Sequence, residues 1–212
     1  MPILAYILTA FAAYLLGSIP TGYLVARAKG VDIRTVGSGN IGATNAFRVL
    51  GKPAGVFVLL MDGLKGFAAC WWLCDLLLPL LKVSAADAPS YRIVAGIAAV
   101  LGHNYTCWLY FKGGKGIATT AGVYFGLAPV AVSIALALWI LMFVITRYVS
   151  VASIAAAVAL PTAVWLTEGS VLLGIVTSAL GVLAVFKHRG NIQRLRAGTE
   201  SRINFKKKGD SK

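Results

Sequence analysis

Six runs of nearly unbroken apolar residues, at roughly 3–26, 54–81, 91–111, 117–146, 149–166 and 170–186, take up most of this 212-residue chain. No other feature narrows the fold so far. A stretch of about 18 or more apolar residues is long enough to cross a bilayer as a helix, a form in which backbone polar groups pair within the segment. What lies between the runs is too short for a separate soluble domain. Charged residues make up 13% of the chain and the mean hydropathy is +0.80, whereas an average chain is about 25% charged. The sequence therefore reads as one integral membrane domain over residues 1–200, with a basic tail over 201–212 expected to be disordered. The opening MPILAYILTAF has neither a basic n-region nor a small-residue cleavage site, and reads as a retained span.

The fourth run holds 30 residues, a helix of roughly 45 Å against a hydrocarbon core of about 30 Å. The turn-forming GLAP at 126–129 predicts two shorter helices instead. Charge placement agrees. With the loop 27–52 cytoplasmic and 117–146 split, 17 of the 20 Lys and Arg fall on the cytoplasmic side. Left unsplit, the run sends the nine from Lys187 onward outside, against the positive-inside rule. The expected fold is an all-α integral membrane protein with seven transmembrane helices, N-terminus outside and C-terminus cytoplasmic. The net charge of +13 sits in short segments between apolar runs, as anchors to anionic lipid would, and not as a nucleic-acid surface.

Under this topology four polar segments gather at the cytoplasmic face. The first is GSGNIGATNAFRVLG (37–51), which sets Gly39 and Gly42 among Ser38, Asn40, Thr44, Asn45 and Arg48. The second is YFKGGKG (110–116), with Lys112, Gly113, Gly114 and Lys115. Ser150 and Ser153, three apart and so on one helix face, form the third. KHRGN (187–191), with His188 and Asn191, is the fourth. Singly, each has a plain explanation: cations as snorkelling anchors, glycines as a helix stop, serines as packing residues, the histidine as a solvated interface residue. Together on one surface they point to a phosphate, which takes cations and backbone N–H groups.

Other polar residues lie within the apolar runs. Asp62 and Lys65 stand at i,i+3 and can pair, as a structural or a functional ion pair. His103 and Asn104, about two turns before the FKGGKG loop, must find partners across helices or at the site. Cys70, Cys74 and Cys107 have no His or second thiol pair to complete a tetrahedral set and read as small hydrophobes. Neither metal nor cofactor is expected.

Several familiar motifs fail on context. Residues 37–42 spell G-x-G-x-x-G, but a dinucleotide fingerprint follows a buried strand and opens a βαβ unit, and here a membrane span precedes it. GGKG lacks the spacing of a P-loop, and no G-x-S-x-G elbow occurs. Phosphate chemistry without a nucleotide fold, at a membrane surface, leaves a lipid-building enzyme or a transporter of phosphate or an organic phosphate.

GSGNIGATNAFRVLGKPAG, DGLKG, GHNYTCWLYFKGGKGIAT, RYVSVASI and KHRGNIQRLRAGTE, in that order and spacing, resemble the bacterial acyl-phosphate:glycerol-3-phosphate acyltransferase family (PlsY type) from about Leu16 to Glu200. The resemblance implies transfer of a fatty acyl group from acyl phosphate to the 1-position of glycerol 3-phosphate, giving lysophosphatidate. It implies a glycerol 3-phosphate site at Ser38, Thr44, Asn45, Arg48, Lys115, Ser153, His188 and Asn191. The remaining loop residues (Gly39, Asn40, Gly42, Lys112, Gly113, Gly114) and Ser150 would complete substrate binding, with His188, Lys115 and Asn45 nearest the chemistry. It further implies a bacterial cytoplasmic (inner) membrane protein with its active site facing the cytoplasm, fed with acyl phosphate by a soluble acyl-phosphate synthase.

Overall fold

The computed structural model describes residues 2–203, and every regular element among them is helical. The helices are α1 (Pro2–Ser18), α2 (Thr21–Arg27), α3 (Ala43–Leu50), α4 (Lys52–Cys70), α5 (Trp72–Leu80), α6 (Ala88–Asn104), α7 (Ile117–Leu127), α8 (Pro129–Thr146), α9 (Val149–Thr167), α10 (Val171–Lys187) and α11 (Arg189–Arg196), with a single 3-10 turn at Cys107–Leu109. The run 117–146 breaks at Ala128, where GLAP predicts it. Pro129 has no N–H to continue α7 and starts α8 instead. Two further breaks, at Ile19–Pro20 and at Trp71, interrupt runs that read as continuous in the sequence.

Four stretches are long and apolar enough to cross a bilayer: 3–27, 52–80, 129–146 and 149–167. A fifth is added if α10 and α11, bent by 50° at His188, count as one. With its 11 residues, α7 reaches only about 16 Å. Large apolar side chains point outward, among them Ile3, Ile7 and Phe11 on α1 and Leu141, Val144 and Ile145 on α8. Such a surface suits hydrocarbon, and the chain is a multi-pass membrane protein.

The chain divides into two compact units, Met1–Val132 and Ser133–Lys212. In the first, α1 packs on α6 and α4 on α7. Ala13, Ala95 and Ala99 are fully buried in the core that α1 and α6 share. Small residues let membrane helices approach closely enough for dispersion and polar links to hold them. The Tyr14 hydroxyl donates to the Tyr105 carbonyl at 2.6 Å, and Thr106 Oγ1 donates to the Ser18 carbonyl at 2.6 Å. The next carbonyl in the break, Ile19, accepts both Lys65 Nζ at 2.8 Å and the Thr21 N–H at 3.1 Å. Between α4 and α7 the backbones touch: Gly122 lies against the Gly63 carbonyl.

In the second unit α9 packs on α10, whose N-terminus is capped by Ser170 Oγ accepting the Leu173 N–H at 3.3 Å. The segment after α11 returns to the start of α9. There the Ile203 N–H donates to the Arg147 carbonyl at 3.0 Å, and the Arg202 guanidinium stacks over the Tyr148 ring. The rest of the expected tail, 204–212, lies outside the described residues.

Candidate active site

In the first unit the loop between α2 and α3 is built around one buried amide. Asn45 Oδ1 accepts the Ser38 N–H at 2.8 Å, and Nδ2 donates to the carbonyls of Ile33 and Val36 at 3.2 and 3.1 Å. Its side chain is 1% exposed. Asn45 therefore clamps the loop, and what it presents is Ser38, exposed at the loop's tip. Asn40 Oδ1 accepts the Gly42 N–H at 2.9 Å, a local turn that leads into α3. Thr44 and Arg48, four apart on α3, share a half-exposed face.

The loop also carries Arg34, whose charge is already spent. It meets Asp32 through Nη2 at 2.7 Å and through Nε and its own backbone N–H at 3.0 Å. The side-chain hydrogen bond from Arg34, followed by the backbone one, draws the Asp32 carboxyl down from 3.8 to about 2.

The second loop, between the 3-10 turn and α7, lies flat on the end of α6. The Gly113 N–H donates to the Asn104 carbonyl at 3.2 Å and the Gly114 N–H to the His103 carbonyl at 3.0 Å. Both donors that a phosphate cradle would use are thus taken up inside the protein. A Cβ on Gly113 would overlap the His103 carbonyl, and one on Gly114 would overlap the His103 imidazole. These glycines are required for close approach. Tyr110 and Phe111, both at left-handed φ (53° and 60°), reverse the chain just before, leaving Lys112 exposed and Lys115 half-buried.

In the second unit His188 is 3% exposed. Its Nδ1 meets the Ala184 carbonyl at 2.7 Å. A carbonyl only accepts, so Nδ1 carries the proton and Nε2 is the basic nitrogen of the neutral ring. Ser153 Oγ accepts the Trp139 Nε1–H at 3.2 Å. Asn191 Nδ2 donates to Glu200 Oε1 at 2.7 Å, and Arg194 Nε donates to Glu200 Oε2 at 2.8 Å.

Glu200 is the residue that reading the sequence missed, although it is the one acid in the basic stretch 187–208. It brings Asn191 and Arg194 together. Burial pushes its carboxyl up, but hydrogen bonds from Asn191 and Arg194 outweigh that and hold it below 4.5. A depressed folded pKa contributes stability above the unfolded value that is lost as pH falls through the folded one. Glu200→Gln should therefore lower the melting midpoint in detergent at about pH 7, with the gap to wild type closing as pH falls below about 4.5. A gap independent of pH would mean that shape, not charge, holds this end of the chain.

Residues 7–198 match the family profile described as Glycerol-3-phosphate acyltransferase. A Glycerol-3-phosphate acyltransferase of Geotalea daltonii is 51% identical over 190 residues, 89% of this chain and 93% of that one. A crystal structure of PlsY (YgiH), an integral membrane glycerol 3-phosphate acyltransferase, in its glycerol 3-phosphate form, superposes with a TM-score of 0.84 at 40% identity, covering 94% of this chain and 96% of that one. Its lysophosphatidic acid form gives a TM-score of 0.81 at 39% identity, covering 94% and 95%.

Proposed function

The chain belongs to the glycerol-3-phosphate acyltransferase family, and on that premise we propose that it transfers a fatty acyl group from acyl phosphate to the 1-hydroxyl of glycerol 3-phosphate, releasing lysophosphatidate and inorganic phosphate. The observation that carries this reading is the likeness, over 94% of the chain, to an acyltransferase structure in its glycerol 3-phosphate form.

Acyl phosphate is a mixed anhydride, already activated, so no covalent enzyme nucleophile is needed. The 1-hydroxyl oxygen attacks the acyl carbon, the ester C–O bond forms, the bond from acyl carbon to phosphate oxygen breaks, and the hydroxyl proton passes to a substrate phosphate. The protein's share is alignment of two anions and stabilisation of the developing oxyanion. Ser38, Thr44, Arg48 and Lys115 bind glycerol 3-phosphate, with Asn45 holding Ser38 in place. Lys112 and the loops bearing Gly39, Asn40, Gly42, Gly113 and Gly114 serve the acyl phosphate. Ser150, Ser153, His188 and Asn191 also bind substrate. His188, with Nε2 as its basic nitrogen, is the rival proton acceptor.

The same reading places seven crossings in the bacterial inner membrane, N-terminus out and C-terminus in, with α6 and α7 counted among them and the site facing the cytoplasm. Having 17 of 20 basic residues on one side supports that orientation. A soluble acyl-phosphate synthase supplies the donor.

The test uses purified protein in liposomes with labelled glycerol 3-phosphate and, in turn, acyl phosphate, acyl-coenzyme A and acyl-carrier protein. Labelled lysophosphatidate from acyl phosphate alone is expected. Uptake of label without product would overturn the reading in favour of a transporter. In the same assay His188→Gln should keep the pH profile if a substrate phosphate takes the proton, and lose a limb of it if the imidazole does.

A further inference from the structure

The mechanism above leaves unused the most heavily buried charges of the first unit. Asp62 is 2% exposed and Lys65 6%, both on α4, and His103 is 5% exposed at the end of α6. Lys65 Nζ stands 2.8 Å from Asp62 Oδ1 and also donates to the Ile19 carbonyl. His103 Nδ1 lies 3.6 Å from the same carboxylate oxygen, beyond a hydrogen bond but well within reach of its charge in a low-dielectric interior. Ion pairs taken out of water contribute little net stability, since desolvation offsets most of the attraction. They are better suited to fixing an arrangement, and the arrangement here is the position of His103.

On its far side the His103 ring lies against Gly114, near enough that a Cβ on that glycine would overlap it. The His103 and Asn104 carbonyls belong to the last turn of α6, where a helix has no acceptor-satisfying N–H of its own. The loop supplies them, from Gly114 and Gly113. Asn104 Oδ1 and Nδ2 border Gly116, where α7 begins with φ +83°. His103 and Asn104, with Val100 beside Gly116, thus face the Gly113–Gly116 segment, and Lys115 is the one side chain that segment projects.

We propose that Asp62 and His103 are positioning residues for the Gly113–Gly116 loop: the Lys65-paired carboxylate holds the imidazole, and the imidazole and its backbone carbonyl set where Lys115 stands. The proposal rests on the reading of Lys115 as a ligand of glycerol 3-phosphate, and its test separates the two. Asp62→Asn alone would leave the Lys65 charge uncompensated, so the variant is the double Asp62→Asn/Lys65→Met, which removes both charges at nearly constant volume. His103→Gln is the second variant, and carries the same measurements if the double does not fold.

Hydrogen–deuterium exchange reads the loop without reference to activity. The Gly113 and Gly114 amides should exchange at least roughly tenfold faster in the variants, while amides in the middle of α1 and α6 keep their protection. In the acyl-transfer assay, KM for glycerol 3-phosphate should rise at least about tenfold with kcat changed less than about threefold. Unchanged loop exchange overturns the proposal, as does faster loop exchange with KM and kcat both intact. An equal loss of protection across the first unit overturns it too, because the charges would then serve general stability. Faster loop exchange in a protein whose wild type makes no lysophosphatidate upholds the positioning and sinks the function instead.

Discussion

Gly122→Ala should remove most folded protein from the membrane fraction and lower the melting midpoint of what remains by roughly 10 °C. The new methyl group would overlap the Gly63 carbonyl oxygen and crowd the Gly63 carbonyl carbon and Cα, all backbone atoms of α4. A flexible side chain could swing away, but a helix backbone cannot. Relief therefore requires α7 to move off α4 along a contact that also includes Gly66 against the Thr119 carbonyl. Overpacking of this kind costs about 3 kcal/mol at its upper end, and each kcal/mol is worth roughly 2–4 °C in a chain of this size. Activity should fall further than stability, because α7 starts directly at Gly116, the end of the Lys115 loop. Gly169→Ala is the control: that glycine has nothing within 4 Å of an added Cβ. Equal melting midpoints for the two variants would show that the α4–α7 seam yields more readily than backbone contact allows.

Asn45→Ala should cut kcat/KM for glycerol 3-phosphate by about 100-fold, the scale on which a small misplacement of a positioning group is felt. The substitution removes all three hydrogen bonds of the buried amide. Losing the three, with the Ser38 N–H and the Ile33 and Val36 carbonyls left without their partner, costs about 3 kcal/mol at roughly 1 kcal/mol for each bond. Asn45→Asp discriminates a clamp from a substrate ligand. A carboxylate still accepts from the Ser38 N–H, but its second oxygen faces two carbonyl acceptors where Nδ2 donated. The Asp variant should therefore be at least as impaired as Ala, with a lower melting midpoint than wild type. An Asp variant with wild-type kinetics and melting would end the clamp assignment and return Asn45 to the substrate.

How much of this is legible in the sequence depends on the range of the interaction concerned. Apolar run length and GLAP report helices and the break at Ala128, because both depend on a few neighbouring residues. The i,i+3 spacing of Asp62 and Lys65 likewise announces their pairing within one helix. His103, about forty residues on, joins that pair only because α4 and α6 pack together, and nothing local records it. The same holds for Asn45. Its type and place in a glycine-rich loop suggest a ligand, and give no hint of the bonds its amide makes to carbonyls 9 and 12 residues away. The two glycines before Lys115 read as phosphate-binding backbone, and the fold uses their N–H groups to finish α6. The breaks at Ile19–Pro20 and Trp71 escape a hydropathy reading, since apolar content does not change across them. Glu200 was visible as a lone acid among bases, but its partners were not.

The interruption after α1 has a consequence for how the chain is made. The Ser18 and Ile19 carbonyls at that interruption are met by side chains of Thr106 and Lys65, which leave the ribosome only after the first span is already synthesised. Until then the Ser18 carbonyl lacks its Thr106 partner, and the Ile19 carbonyl has only the Thr21 N–H. Final seating of the first segment therefore waits on translation of α4 and of the turn beyond α6. The lysine that looks out of place in an apolar helix is what the earlier segment needs from the later one.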